Sequence, residues 1–160
     1  MAYIVIVGLT MFVLPVGSIL IEWSLDQSSL LWLIGKWFVF WAVGVRLLLA
    51  GARQYFQPAF TARDILGIDS PGVFVLVREL GGANAAAGVI GLASIILPTF
   101  VLPSAIGSGI FHFVAGIEHL KEKQRGTKEA VAMASDLFAA LVLIAYAAWA
   151  LTLKTPYPAS

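Results

Sequence analysis

The sequence contains no cysteine and little charge. Ten Lys and Arg, nine Asp and Glu and two His are spread over 160 residues, so charged residues make up 12% of the chain. The absence of cysteine excludes a disulfide framework, a thiolate metal site and a cysteine nucleophile. The net charge of +1 offers no basic surface for nucleic acid, so no nucleic-acid partner is predicted.

Apolar residues dominate the chain instead. They account for 60% of it, whereas soluble domains are about half apolar and about a quarter charged. Each apolar run approaches the roughly 20 residues that a bilayer core requires. We predict an all-α, polytopic membrane helix bundle that forms one domain over residues 1–160, with four to five transmembrane helices. The predicted helices are 2–24, 29–56, 72–97, 104–121 and 128–153, with a short interfacial helix at 59–66.

Two local features refine this fold. Pro15 lacks a backbone donor and predicts a kink around residues 13–17 of the first helix. The third run is rich in small residues, from Gly81 through Gly91. Membrane helices associate where small residues let backbones approach, so this helix is predicted at the centre of the bundle.

The basic residues predict the orientation of the chain. They gather in the connections after the second and fourth runs, whereas the two opposite loops contain no Lys or Arg. The positive-inside rule then predicts a multi-pass protein of the cell membrane, with a cytoplasmic N-terminus and an external C-terminus. The residues in question are Arg53, Arg63, Lys121, Lys123, Arg125 and Lys128.

This orientation brings the polar residues of four helices to similar depths in one half of the bilayer. An isolated charge there costs about 3 kcal/mol, so these groups are expected to be paired, protonated or hydrated. Arg46 is predicted to pair with Glu79 or Asp136, and a histidine to share a proton with the remaining carboxylate. The set comprises Arg46, Glu79, His112, His119 and Asp136, with Asn84 nearer the midplane.

These residues suggest roles in a pocket. Glu79, His119 and Asp136 are the candidate catalytic acid/base residues, and Asn84, His112 and Arg46 are the candidate ligand-binding residues. Structural alternatives stay open, such as a simple ion pair for Glu79 or a helix cap at Asp136.

A metal site receives no support from the spacing of the two histidines. His112 and His119 are seven residues apart, or about 10 Å along a helix axis, too far to share one ion. No metal and no cofactor are predicted.

Several short motifs resemble a family of small bacterial and archaeal integral membrane proteins that is classed as a domain of unknown function. The resemblance begins near Phe56 and rests on residues 78–84, on Gly88 and Gly91, on residues 116–119 and on Asp136. It implies that Glu79, Asn84, His119 and Asp136 occupy the polar positions of that family. Asp136 lacks the tyrosine and proline neighbours of the family pattern, and the family brings no activity with it.

The function predicted from these observations is a membrane protein with a cytoplasmic-side pocket of Glu, His, Asp and Arg. This pocket would handle a lipid-soluble or small polar ligand, or protons, and membrane lipid is a predicted partner. The alternative is a non-catalytic accessory or assembly subunit, acting in a homo-oligomer or a larger membrane complex. Whether the protein is an enzyme stays open.

Overall fold

The computed structural model describes residues 2–26, 28–121 and 126–153, so Lys123 and Arg125 of the basic connection lie outside the described residues. Over these ranges the chain is an all-α helical bundle without strands, as predicted. Five helices are long and apolar enough to cross a membrane. The helices are α1 Ala2–Asp26, α2 Leu30–Phe56, α3 Phe60–Ile65, α4 Pro71–Ala93, α5 Pro98–Lys121 and α6 Thr127–Leu151.

The helix ends differ from the predicted ones mainly between α4 and α5. The third span ends at Ala93 rather than at 97, and the fourth begins at Pro98 rather than at 104. Proline suits the first position of a helix, because its fixed φ is helical and its missing N–H needs no partner there. Pro98, which lies between the predicted helices 72–97 and 104–121, therefore starts α5.

Two wide helical turns interrupt the regular geometry of the first two helices. One covers Leu9–Val13 and ends two residues before Pro15, at the start of the segment where a kink was predicted. The other covers Val39–Val45 and ends directly before Arg46. Such π-type turns change the direction in which the following side chains point, and they occur frequently at functional sites.

Glycines bring the backbones of α2 and α4 into direct contact. A Cβ atom on Gly51 would lie 2.5 Å from the carbonyl oxygen of Gly81, and one on Gly88 would lie 2.6 Å from the backbone nitrogen of Leu48. Only residues without a side chain allow this separation. The small residues of α4 therefore serve its contact with α2, which is the type of association predicted for them.

The predicted central position of α4 is wrong. Only 22% of the most apolar window of α4 is buried, against 44% for α2 and α6, so α4 lies at the edge of the bundle. It packs mainly against α2, and its opposite side, including Gly82, Ala83 and Ala86, is exposed. Small residues permit close approach to one neighbour, but they do not require neighbours on every side.

The core lies between α1, α2, α5 and α6. Its fully buried side chains include Met11, Leu33, Val43, Leu143 and His112. At one end of the bundle, Lys128 of α6 pairs at 2.5 Å with Asp64 of α3, which places the two basic connections side by side. We call this the basic end. At the other end, Lys36 pairs at 2.6 Å with Glu22.

Candidate functional site

A cavity of about 200 Å³ lies near the basic end, and residues from all six helices line it. We call it the polar cavity. Four of the six sequence-predicted site residues line it, namely Arg46, Asn84, His119 and Asp136. Tyr3, Arg53, Gln54 and Thr61 add further polar groups. The short helix α3, which was predicted to be interfacial, contributes Phe60, Thr61 and Ile65 to the wall.

A buried ion pair between Arg46 and Asp136 stands at the centre of this wall. The Nη2 atom of Arg46 donates to Oδ1 of Asp136 at 2.9 Å, and both side chains are only 11% exposed. The same Nη2 donates to Oγ of Ser135 at 2.9 Å. Of the two carboxylates proposed as partners of Arg46, the structure therefore pairs Asp136. These bonds satisfy the buried charge, which would otherwise be costly in the apolar interior of the bundle.

His112 lies behind the cavity wall and holds Arg46 in position. Its Nε2 is 3.0 Å from Nη1 of Arg46, and its Nδ1 is 2.7 Å from the carbonyl oxygen of Ser108. A guanidinium can only donate and a carbonyl can only accept. Nε2 must therefore be the acceptor, and Nδ1 must carry the proton. Both ring nitrogens of this neutral imidazole are occupied by protein partners.

His119 faces the same cavity but has a different partner. Its Nδ1 lies 3.4 Å from Oε1 of Glu129, and both side chains are largely buried. Glu129 was not among the predicted site residues, and it lies in the first turn of α6, where an acidic side chain is favourable. The antiparallel packing of α5 against α6 across a short connection was the signal that could have placed it beside His119.

Asn84 is held by a residue that the sequence reasoning missed. Its Nδ2 donates to Oε1 of Gln54 at 2.8 Å, joining α4 to α2 at the cavity wall. Gln54 precedes Tyr55 and Phe56 at the end of α2 and carries no charge, so no motif distinguished it. A helical register of α2 that begins at Arg46 would have placed Gln54 two turns further on the same side.

Glu79 lies outside the polar cavity. Leu80 and Asn84, one turn apart, face the cavity, and Glu79 points to the exposed side of α4. Successive residues on a helix point about 100° apart, so Glu79 and Leu80 cannot share a direction. No ion pair among the described side chains includes Glu79. The structure thus brings together the predicted residues of α2, α5 and α6 without this carboxylate.

Arg53 is a second arginine in the cavity wall that was not among the predicted site residues. Its guanidinium carbon lies 3.6 Å from the centre of the Phe60 ring. Its Nε atom is buried and has no hydrogen-bond partner within the part of the chain that is described. None of the carboxylates in these same ranges forms an ion pair with it. Sequence reasoning used Arg53 only as evidence for orientation.

A second cavity of about 280 Å³ lies between α4 and α5. We call it the lateral cavity. Its walls are mainly apolar and include the exposed residues Ala83, Ile90, Pro103 and Gly107, so it opens on the side of the bundle. The lateral and polar cavities adjoin, because both are lined by Leu47, Asn84 and Phe111.

No group of three His, Asp or Glu side chains in the described ranges is arranged to hold a metal ion. The chemistry offered by the polar cavity is therefore that of hydrogen-bond donors and acceptors and of two guanidinium groups. Asp136 and His119 are the titratable groups that face it, beside Tyr3. Such a set can bind a polar head group or exchange protons with one.

The chain was compared with known protein families, curated proteins and solved structures. The model of a family described as "Family of unknown function (DUF6790)" matches residues 3–156. This match includes the first two helices, which had no part in the resemblance drawn from the sequence motifs. No curated protein and no solved structure matches the chain.

Proposed function

The chain belongs to the DUF6790 family of unknown function, and we propose that it is a multi-pass membrane protein whose polar cavity binds a small ligand. The observation that carries this proposal is the convergence of polar side chains from all six helices on one cavity. Polar groups inside an apolar bundle carry a free-energy cost, so residues that place them there are candidates for a functional role. A concave site with a few convergent polar groups is the usual form of a small-molecule site.

Each polar residue has a distinct role in this proposal. Arg46 and Asn84 bind the ligand, and His112 positions Arg46 from behind. Asp136 and His119 are the acid/base candidates, because their carboxylate and imidazole groups face the cavity. This arrangement suits an enzyme acting on a lipid-soluble substrate or a proton-coupled carrier, and both require a ligand in this cavity.

The cavity is proposed to face the cytoplasm. The basic end combines Arg63, Lys121 and Lys128 with the connection that contains α3. Cytoplasmic loops of membrane proteins carry an excess of Lys and Arg. The N-terminus of α1 contributes Tyr3 to this same end, and five spans then place the C-terminus outside.

Filling the polar cavity is expected to abolish ligand binding. Ala115 lines the cavity from α5 and is half-buried, so Ala115→Phe places a ring in the space. Native mass spectrometry of the purified protein is expected to show a bound small molecule on the wild type and none on this variant. Val114→Phe is the matched control, because Val114 is exposed on the same helix and adds its ring outside the bundle.

Gel filtration and thermal unfolding first check that both variants are folded. Loss of the bound mass in Ala115→Phe and its retention in Val114→Phe supports the proposal. An empty wild-type protein, or equal occupancy in the two variants, contradicts it.

An accessory subunit is the second candidate function, and the exposed side of α4 favours it. This side combines the exposed carboxylate of Glu79, which no described side chain pairs with, with the small residues Gly82, Ala83 and Ala86. In a bilayer, small residues let a partner helix approach, and a carboxylate facing lipid would gain from a partner's donor group. A homo-oligomer or a larger membrane complex would supply that helix.

Glu79→Gln separates the two candidates. We expect this variant to keep both the bound ligand and the oligomeric state of the wild type, because Glu79 lies outside the polar cavity. Native mass spectrometry measures both quantities in one experiment. Glu118→Gln is the control, since Glu118 is an exposed carboxylate that pairs with Lys121 at 2.5 Å. Dissociation of a complex by Glu79→Gln alone would favour the accessory subunit.

A further inference from the structure

The polar cavity contains more positive than negative charge. Asp136 neutralises Arg46 through the bond described above. Arg53 stacks on Phe60, and its buried Nε has no partner among the described residues. His119 has its own carboxylate in Glu129. One guanidinium therefore remains for an anion, and its planar set of donors matches a carboxylate or a phosphate.

The lateral cavity has the opposite chemistry. Its walls are formed largely by aliphatic residues and glycine, and its mouth lies between α4 and α5 on the apolar side of the bundle. In a membrane this mouth faces lipid tails. A hydrocarbon chain could enter there from the bilayer and gain about 0.8 kcal/mol for each CH₂ that it buries.

The two cavities together extend along the bundle from the basic end, with the charged part first and the apolar part after it, in the order of a lipid head group and its chain. His119 in the polar cavity and Pro103 in the lateral cavity are sixteen residues apart on α5, which corresponds to about 24 Å. The charged part lies at the basic end, and the apolar part continues past Phe111 towards the opposite end. Each cavity is smaller than the about 300–1,000 Å³ of a drug-sized pocket, so the space fits one chain rather than two.

We propose that the ligand is an amphiphile with an anionic head group and a single hydrocarbon chain, its head bound by Arg53 and its chain in the lateral cavity. This inference rests on the proposed function, since it specifies the ligand of the same site. Asn84, which lines both cavities, contacts the junction between head and chain.

Photolabelling with a fatty acid tests the proposal. The probe is a palmitate analogue with a diazirine near the chain end, added to the purified full-length protein in detergent. We expect saturable labelling of residues that line the lateral cavity, between 83 and 90 on α4 and between 103 and 111 on α5. Palmitate is expected to compete at least tenfold better than hexadecanol, which has the same chain without a charge.

Two pairs of variants separate the head from the chain. Arg53→Gln is expected to weaken palmitate competition about tenfold, because hydrogen bonds to charged groups are the strong ones. Arg63→Gln is its control, since Arg63 is exposed and already paired with Asp69 at 2.7 Å.

Gly107→Leu fills the lateral cavity without a clash, because a Cβ there meets nothing within 4 Å. Gly82→Leu is equally free of clashes and lies outside both cavities.

The outcomes distinguish this inference from the proposed function. Dependence of labelling on both Arg53 and Gly107 supports the amphiphile. If palmitate and hexadecanol compete equally and Arg53→Gln has no effect, the claim that the ligand has an anionic head group is overturned. If inorganic phosphate or acetate competes as well as palmitate and Gly107→Leu has no effect, the assignment of a hydrocarbon chain to the lateral cavity is overturned. A small-ligand site in the polar cavity then still stands. Labelling that does not saturate overturns the proposal of an amphiphilic ligand. If the bound mass is also unchanged in Ala115→Phe, the proposed function is overturned as well.

Discussion

Replacement of Asp136 by Asn is expected to lower the free energy of unfolding by about 3–5 kcal/mol, because it leaves the guanidinium of Arg46 buried without a counter-charge. The native pair is short, at 2.9 Å, and both side chains are 11% exposed. The amide keeps the size of the carboxylate, so the loss measures charge rather than packing. Unfolding of the purified protein, titrated with a denaturing detergent, gives the difference.

Asp69→Asn provides the matched control. Asp69 also pairs with an arginine, at 2.7 Å, but its side chain is 70% exposed. Exposed pairs contribute at most about 1 kcal/mol, so this variant should unfold almost like the wild type. Joint replacement of Arg46 by Met and Asp136 by Leu should recover much of the loss, because no buried charge is then left unpaired. Equal stability of the two single Asn variants would contradict the central role of the buried pair.

The second large effect is expected at the glycine contact between α2 and α4. Gly88→Leu should destabilise the protein by about 3 kcal/mol, because its Cβ alone would lie 2.6 Å from the backbone nitrogen of Leu48. The clash involves backbone atoms, so no side-chain rotation relieves it, and the helices must separate. Thermal unfolding in detergent measures the effect.

Gly82→Leu tests whether the loss of stability depends on the position of the new leucine rather than on replacing a glycine of α4 as such. Gly82 lies on the same helix six residues earlier, and a Cβ there meets nothing within 4 Å. Its replacement is expected to change stability by at most about 1 kcal/mol, in the stabilising direction, because glycine is a poor helix former. Similar losses at both positions would mean that α4 does not use this face to pack on α2.

The pattern of apolar and polar residues along the chain determined a large part of the architecture. Runs of apolar residues predicted an all-α bundle with four to five long helices, because a helix that crosses a bilayer needs about 20 such residues, and the structure has five. Local motifs were sufficient to indicate membership in a family of unknown function, which the match over residues 3–156 confirms. The polar residues inside the apolar runs also identified four side chains that line the polar cavity, namely those of Arg46, Asn84, His119 and Asp136.

Other features depended on how each helix is rotated about its axis. Periodicity shows which residues of one helix share a side, but it does not show which side faces the neighbours. This uncertainty is largest for membrane helices, since lipid tails and a protein core are equally apolar. The small residues of α4 illustrate it, because the sequence predicted a central helix where the structure has a peripheral one.

The choice of partners inside the cavity belongs to the tertiary structure for the same reason. Glu79 and Asp136 were equivalent candidates for Arg46 along the chain, and only the rotation of α4 turned Glu79 outwards. Arg53 became a candidate ligand-binding residue only when α3 brought Phe60 against it and no carboxylate in the described chain paired with it. The sequence alone determined that the chain forms long apolar helices and which of them carry polar residues, because hydrophobicity and helix length are local properties. Packing alone decided which of them meet, because that depends on distances between residues far apart in the chain.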